Sequence, residues 1–249
     1  MQAPGHLELH WELDSTSSEL QRQGQQLPDL AFVLAETQSA GRGRRGRRWL
    51  SPPGLNLYLS CYKRFERGVA ALGGLPLAVG VMLVEALQGL GVTDIGLKWP
   101  NDIISPQGKL AGILVELSGE SQGPCSAVIG IGVNLRLTPA MRETLDQTAA
   151  DLHALLPADR LLDRNHCAAA IIGALCQGLR RFEDDGYALF HAAYTQHDRL
   201  QGSRLQIHRP NGSRLEGIGA GTDAQGALQL ATDAGLERID SAEVSVRPG

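Results

Sequence analysis

Only three of the 23 basic residues in this 249-residue sequence are lysines: Lys63, Lys98 and Lys109. The bias toward arginine is a matter of coding composition and carries no function by itself. The four cysteines, Cys61, Cys125, Cys167 and Cys176, form no C-x-x-C pair and no zinc spacing. That argues against a disulfide framework and a structural zinc site, and leaves free thiols in a reducing compartment. The seven histidines contain no H-E-x-x-H pattern. No basic segment leads into an apolar one at the N-terminus, so no signal peptide is read. Gly68 to Val84 is uncharged, but it is short of the ~20 apolar residues a membrane span needs and is rich in glycine. A net charge of −4 argues against a general nucleic-acid binder, which is usually basic. What remains is a soluble, cytoplasmic protein. With 43% hydrophobic residues it has enough apolar surface for a core. Its length fits one large domain, or one domain plus a small one.

Against this acidic background, the stretch Glu36 to Pro53 concentrates positive charge. It reads ETQSAGRGRRGRRWLSPP, with Arg42, Arg44, Arg45, Arg47 and Arg48 interleaved with Gly41, Gly43 and Gly46 and followed by Trp49. Each glycine costs a helix about 1 kcal/mol against alanine. So many guanidinium groups cannot be buried unpaired in a core strand. The stretch therefore reads as a mobile loop. Arginine forks match phosphate and carboxylate oxygens, and glycines let backbone N–H groups approach an anion. The sharp reading is a loop that folds over a negatively charged small molecule. A nucleic-acid arm and a merely solvated loop are its rivals. Gly41-x-Gly43-x-x-Gly46 also has dinucleotide spacing, but that fingerprint must open a helix, and Pro52 and Pro53 forbid one.

Around the loop, the pattern alternates strands with helices. His6 to Leu13 alternates as a strand. Asp14-Ser15-Thr16-Ser17 then starts a helix, as a cap or as a hydroxyl-lined pocket wall. Leu30 to Ala35 is a strand that delivers Gln38 and the loop, and Leu55 to Ser60 is another. Leu72 to Leu90 repeats apolar residues at three and four, one face of a long helix. Ile95 to Trp99 is a strand stopped by Pro100, which presents Asn101 and Asp102. Ile103-Ile104 and Lys109 to Leu117 form a hairpin. Val128 to Leu135 is a strand whose Gly130 and Gly132 suggest close approach of a ligand or another backbone. Helices follow from Asp163 to Phe182 and from Tyr187 to Leu200. Beyond Gln201, short strands between Gly and Asp turns predict a small β-barrel. The expectation is an α/β (α+β) chain with one domain over residues 1–200 and a second over 201–249.

Several motifs together carry a resemblance. They are Asp14-Ser15-Thr16, the run from Gln38 to Trp49, Lys98-Trp99-Pro100-Asn101-Asp102, Lys109-Leu110-Ala111-Gly112-Ile113-Leu114-Val115-Glu116 and Gly130-Ile131-Gly132-Val133-Asn134. As a set, in this order, they resemble biotin protein ligases, which attach biotin to carboxylase subunits. Each piece alone is weak; the set is specific and covers almost the whole chain. The resemblance implies a mixed-sheet catalytic domain and a C-terminal SH3-like barrel. Two departures matter. The sequence starts at the first catalytic strand, with no helix-turn-helix ahead of it, so the monofunctional type is expected and no DNA partner. Ser17 stands where relatives often carry asparagine.

The resemblance further implies a two-step reaction. Biotin and ATP give biotinyl-5′-AMP, and a lysine of a biotin carboxyl carrier domain then takes the biotin. By resemblance Lys109, Arg42, Arg44 and Asp102 are the catalytic candidates. Ser15, Thr16, Ser17, Gln38, Gly41, Arg42, Gly43, Arg44, Lys109 and Gly112 are the candidates for biotin. Arg42, Arg44, Arg45, Trp49, Asn101, Asn134 and Arg247 are those for the nucleotide. Mg²⁺ is expected to share the phosphate charge, with no ligands assigned. Trp49 reads as a lid or as an ordinary loop anchor. Asp102 reads as an aid to the acceptor lysine, or as a group that orients Lys109 or a metal. A homodimer is consistent with sheet-edge pairing in the family. The rivals are a lipoate ligase or other acyl-adenylating enzyme of the same fold, a biotin-responsive DNA binder and an inactive biotin sensor.

Overall fold

A computed structural model describes residues 4–157, 162–209, 212–240 and 245–248, with side chains as far as residue 240. Strand β1 (His6–Leu13) leads into helix α1 (Thr16–Gln23) and strand β2 (Ala31–Gln38). Then come β3 (Leu57–Phe65), α2 (Leu75–Gly89), β4 (Gly96–Lys98), β5 (Asp102–Ser105), β6 (Gly108–Gly119) and β7 (Cys125–Val133). Two short helices, α3 (Pro139–Glu143) and α4 (Leu152–Leu155), precede α5 (Arg164–Asp185) and α6 (Ala188–His197). The first seven strands make one sheet in the order β1-β2-β3-β7-β6-β5-β4. Only β1 and β2 run parallel; the other pairs are antiparallel. The sheet is therefore mixed, as the resemblance implies.

The two faces of this sheet are filled differently. Helix α2 has a single charged residue, Glu85, and buries ten of its fifteen residues, as a helix enclosed on most sides must. With α5 it covers the face that carries Phe32, Leu59, Cys61, Ile113, Ile129 and Ile131. Asp163 caps α5 by accepting from the N–H of Asn165 at 2.9 Å. The opposite face has a smaller apolar cluster in which Leu20 and Leu27 pack on Ala31, Val33, Tyr62 and Val128. That cluster ends where β7 and β6 turn to glycine. Gly132 pairs with both Tyr58 and Gly112, and Gly130 with both Ser60 and Leu114. With no side chains at Gly112, Gly130 and Gly132, a trench is left along the sheet beside the first turn of α1.

The C-terminal part forms a second sheet from β8 (Arg204–His208), β9 (Arg214–Thr222), β10 (Leu228–Thr232), β11 (Gly235–Ile239) and β12 (Ser245–Pro248). Their order is β11-β10-β9-β8-β12. The strands match the expected small β-unit, but no pairing among the described residues closes it between β11 and β12. The sheet is tied to the rest of the chain by the Lys98-Trp99-Pro100 motif. Trp99 is fully buried, and its indole N–H donates to the carbonyl of Gly226 at 3.0 Å. Beside it the Tyr187 hydroxyl meets Thr222 Oγ1 at 2.9 Å. A buried carbonyl left without its donor costs about 1–3 kcal/mol. Trp99→Phe keeps an aromatic ring but deletes this bond. Chemical denaturation should therefore show stability lower by about that amount, with the C-terminal sheet becoming the first part cut by protease.

Candidate functional site

The trench has a polar head. Helix α1 begins directly after β1, and Ser15 is its N-cap, accepting from the N–H of Ser18 at 3.5 Å. Asp14 accepts from the N–H of Ser15 and is clamped by Arg22, which holds its carboxyl down at about 2. Ser15, Thr16 and Ser17 are all buried. The amide oxygen of Gln38, at the end of β2, accepts from the N–H of Thr16 at 2.9 Å and from its hydroxyl at 3.3 Å. Ser17 Oγ lies against Gly130, where an added Cβ would stand 2.5 Å from it. Capping and the pocket wall are thus two roles of one turn.

The arginine loop is folded rather than extended. Arg42 and Arg48 bridge as antiparallel neighbours, and the Gly43 N–H donates to the Arg47 carbonyl at 2.8 Å. Arg45 (φ 59°) and Gly46 (φ +69°) are both left-handed and reverse the chain at its tip. Gly41 must lack a side chain, because a Cβ there would stand 2.5 Å from the Trp49 carbonyl oxygen. The arginines divide into two groups. Arg42 reaches Glu116 on β6 and Gln21 on α1. Arg44 donates to Asn101 Oδ1 at 3.3 Å. Burial, and then the charge of Arg45, lower its pKa, with Asp102 opposing. Arg45 and Arg47 are exposed, and Arg48 donates to the Ser39 carbonyl.

Trp49 lies in the trench, directly against its glycine floor. An added Cβ on Gly132 would stand 2.3 Å from its indole, and one on Gly112 would stand 2.9 Å from it. Lys109 Nζ lies 5.4 Å from the indole centre, within cation–π range, and 2.7 Å from Asp102 Oδ1. Asn101 is pinned to β6 by its amide N–H donating to the Ile113 carbonyl at 2.7 Å. Gly112, Trp49, Lys109, Asp102, Asn101 and Arg44 are therefore brought together at one end of the trench. Thr16, Ser17 and Gln38 stand at the other.

Two expected residues sit differently. The amide nitrogen of Asn134 donates to the carbonyls of Lys109 and Ala150, both at 3.2 Å. It braces the strand end that carries Lys109, and only its amide oxygen remains for a nucleotide. Arg247 is paired with Gln206 in β12, and its side chain lies outside the described residues. Sequence reasoning missed the segment at Thr148–Ala150, whose backbone clamps that of Lys109 by two hydrogen bonds of 3.0 and 2.9 Å. It also missed Ser60, whose hydroxyl lies 2.7 Å from Thr16 Oγ1 and 2.9 Å from Ser17 Oγ. A serine within a core strand gives no sequence signal of such contacts.

Residues 12–134 match the Biotin/lipoate A/B protein ligase family, and residues 202–247 match the Biotin protein ligase C terminal domain. The chain is 38% identical over 240 residues to the bifunctional ligase/repressor BirA of Salmonella typhimurium, covering 94% of this chain and 72% of that protein. It is 32% identical over 234 residues to the biotin–[acetyl-CoA-carboxylase] ligase of Paracoccus denitrificans, covering 93% of this chain and 96% of the other. The biotin protein ligase of Aquifex aeolicus, solved in complex with biotin and ATP, superposes with a TM-score of 0.82 at 26% identity. The match covers 98% of this chain and 99% of that one. With the glycine trench, its hydroxyl head and the arginine loop over Lys109, these matches establish that the chain belongs to the biotin protein ligase family.

Proposed function

We infer that the trench performs both half-reactions of an ATP-dependent biotin–[acetyl-CoA-carboxylase] ligase. The observation that carries this is the division of the trench into a neutral hydroxyl-and-amide head and a cationic end. Biotin has the same division: a neutral ureido ring that needs donors and acceptors, and a carboxylate at the far end of an apolar chain. Ser15, Thr16, Ser17 and Gln38 suit the ring, Gly112, Gly130 and Gly132 give the body an apolar floor, and Lys109 with Arg42 and Arg44 suits the carboxylate.

The first half-reaction sets the carboxylate against the α-phosphate of ATP, so positive charge must already be in place. Lys109 supplies a compact charge held by Asp102, and Arg44 a planar one held by Asn101. Pyrophosphate leaves, and the mixed anhydride stays under Trp49, away from water. In the second half-reaction the neutral amine of the carrier lysine attacks the acyl carbon and AMP leaves. Arg45, Asn134 through its free oxygen, and Arg247 are assigned to the nucleotide. Among the described residues no three His, Cys, Asp or Glu side chains gather to hold a metal. Asp102, 2.7 Å from Lys109, is the carboxylate that would face a magnesium ion brought in with ATP. Such an ion supplies neutralisation of the phosphate charge. Residues 1–200 are assigned to catalysis and 201–249 to a separate C-terminal unit. The four cysteines are free and buried, which supports a reducing, cytoplasmic setting. No described helix is long and apolar enough to cross a membrane.

A homodimer has a candidate surface on β1, where Leu7, Leu9 and Trp11 are 53%, 71% and 72% exposed. They lie on the α2/α5 side of the sheet but beyond the helices' cover. The Gly5 N–H and the Leu13 carbonyl bond toward β2 and its loop, so by alternation the even-numbered residues turn their main-chain groups to the open edge. A second copy laid antiparallel about Leu9 brings Glu8 opposite His10, His6 opposite Glu12 and Leu7 opposite Trp11. A register about His10 would set Glu8 against Glu12, which repels. The acidic total and the absence of a basic face in β1 do not favour DNA as the partner.

Incubation with an apo carrier domain, ATP, Mg²⁺ and either biotin or lipoate tests the activity. Mass spectrometry should show an ATP-dependent gain of one biotin, reduced at least about a hundredfold in rate by Lys109→Gln; a gain with lipoate alone overturns the substrate. Arg44→Ala should slow adenylation and release biotinyl-AMP, while thermal unfolding stays within about 0.5 kcal/mol of the parent. A collapsed melting transition would make Arg44 structural instead. In sedimentation equilibrium, Leu9→Lys should abolish the dimer and Leu117→Lys, on the far half of β6, should leave it intact. The reverse pattern moves the interface to β6.

A further inference from the structure

The hydroxyls at the head of the trench belong to a longer hydrogen-bonded chain, and its direction is fixed on the side that runs through Gln38 to Trp49. The N–H of Thr16 can only donate, so the Gln38 atom facing it at 2.9 Å is the amide oxygen and the amide nitrogen must face the other way. That nitrogen donates to Ser51 Oγ at 2.9 Å. Ser51 in turn donates to the carbonyl of Trp49 at 3.0 Å, because a carbonyl can only accept. On the other side the Thr16 hydroxyl donates to Gln38 Oε1 at 3.3 Å. With the Thr16 proton on Gln38, Ser60 donates to Thr16 at 2.7 Å and accepts from Ser17 at 2.9 Å; with that proton on Ser60, both contacts reverse together. A hydroxyl carries one proton and can accept as well, so Ser60 and Ser51 each have one donor and one acceptor partner in the chain.

All four hydroxyl residues of the chain are buried, Ser60 completely. Ser60 is 0% exposed and Ser51 is 5% exposed. Ser60 is the cross-strand partner of Gly130 in the trench floor. Ser51 Oγ would stand 2.7 Å from a Cβ at Gly41, so the glycine at the start of the arginine loop is what admits it. A buried hydroxyl deprived of its partner is costly, which holds every member in place.

We propose that Ser60 and Ser51 are positioning residues for the ligase reaction: Ser60 holds the hydroxyl oxygens of Thr16 and Ser17 in place, with lone pairs left for the N–H groups of the neutral ring of biotin, and Ser51 links Gln38 to the carbonyl of Trp49. The proposal rests on the assignment of Thr16, Ser17 and Gln38 to the ring. Neither serine touches the ligand; each acts through its neighbour. Filling the head of the trench thereby firms the anchor of Trp49.

Steady-state kinetics on the full chain test this, with pyrophosphate release as the readout. Ser60→Ala should raise the biotin KM about tenfold, the worth of one buried neutral hydrogen bond, and leave the ATP KM unchanged. Thr16→Val should raise the biotin KM by itself, and adding Ser60→Ala to it should change little more, because the chain is already cut. Ser51→Ala should raise the biotin KM and also increase the escape rate of biotinyl-AMP about tenfold, since Trp49 loses its tether. If Ser60→Ala does not fold, Ser60→Cys, with a similar shape and a weak donor, replaces it. Equal increases in both KM values, or fully additive effects of Thr16→Val and Ser60→Ala, overturn the positioning role. An unchanged biotin KM in Thr16→Val instead overturns the assignment of the ring site on which the proposal rests.

Discussion

The absence of side chains at Gly112, Gly130 and Gly132 is the constraint on which the site depends. A seven-stranded sheet normally fills both faces with side chains, and on the α2/α5 face this one does. On the other face α1 covers Ala31, Val33 and Val128, and the three glycines then let Trp49 and Ser17 lie directly on the backbone. Trp49 comes down onto that strip so closely that one methyl group at Gly132 would collide with its ring. Small apolar floors with a few fixed polar groups are what pockets for neutral heterocycles require. The same strip sets the distance between Ser60, which holds the head hydroxyls, and Lys109, since both are mounted on strands whose register is fixed by ladder pairing.

Gathering five arginines in one loop opposes folding, and the structure distributes that cost unevenly. Arg42 is neutralised by Glu116, and Arg48 finds a backbone carbonyl. Arg44 is placed against a neutral amide, Asn101, and half-buried, so its charge is penalised and its pKa lowered. At an effective dielectric of 20, a unit anion about 4 Å away contributes roughly 4 kcal/mol of attraction. The exposed Arg45 and Arg47 contribute longer-range attraction, which salt screens within about 10 Å.

Much of this was legible in the sequence, for identifiable reasons. The alternation of His6 to Leu13 and the apolar spacing of Leu72 to Leu90 gave β1 and α2 because each pattern matches one period and no other. Turn residues at Ser105 to Gly108 gave the β5–β6 hairpin. What escaped was contact between distant parts of the chain. The alternation in β1 does not say that Leu7, Leu9 and Trp11 face solvent rather than core. Ser60, 44 residues from Thr16, lies in a strand whose pattern is satisfied by any small residue. Asn134 reads as a polar group at a strand end, and only the structure shows its nitrogen spent on backbone carbonyls. The Trp49 loop was expected to be mobile; its cross-bridge between Arg42 and Arg48 follows from two left-handed residues that no periodicity reports.

Lys109 shows how such distant contacts bear on rate. A free lysine side chain carries about 2 kcal/mol of rotamer entropy, and ordering it during the reaction would raise the barrier by a comparable amount. Here its backbone is held by Thr148 and Ala150, the adjoining strand end by Asn134, and its ammonium by Asp102. The ordering cost is met in folding, in part by the backbone of Thr148 and Ala150. This favours orientation of Lys109 as the main duty of Asp102 in the resting arrangement: one carboxylate oxygen is already engaged at 2.7 Å before any substrate arrives. Preorganisation at the cationic end thus has the same origin as the hydroxyl order at the head, in both cases supplied from outside the trench by groups fixed to neighbouring backbone.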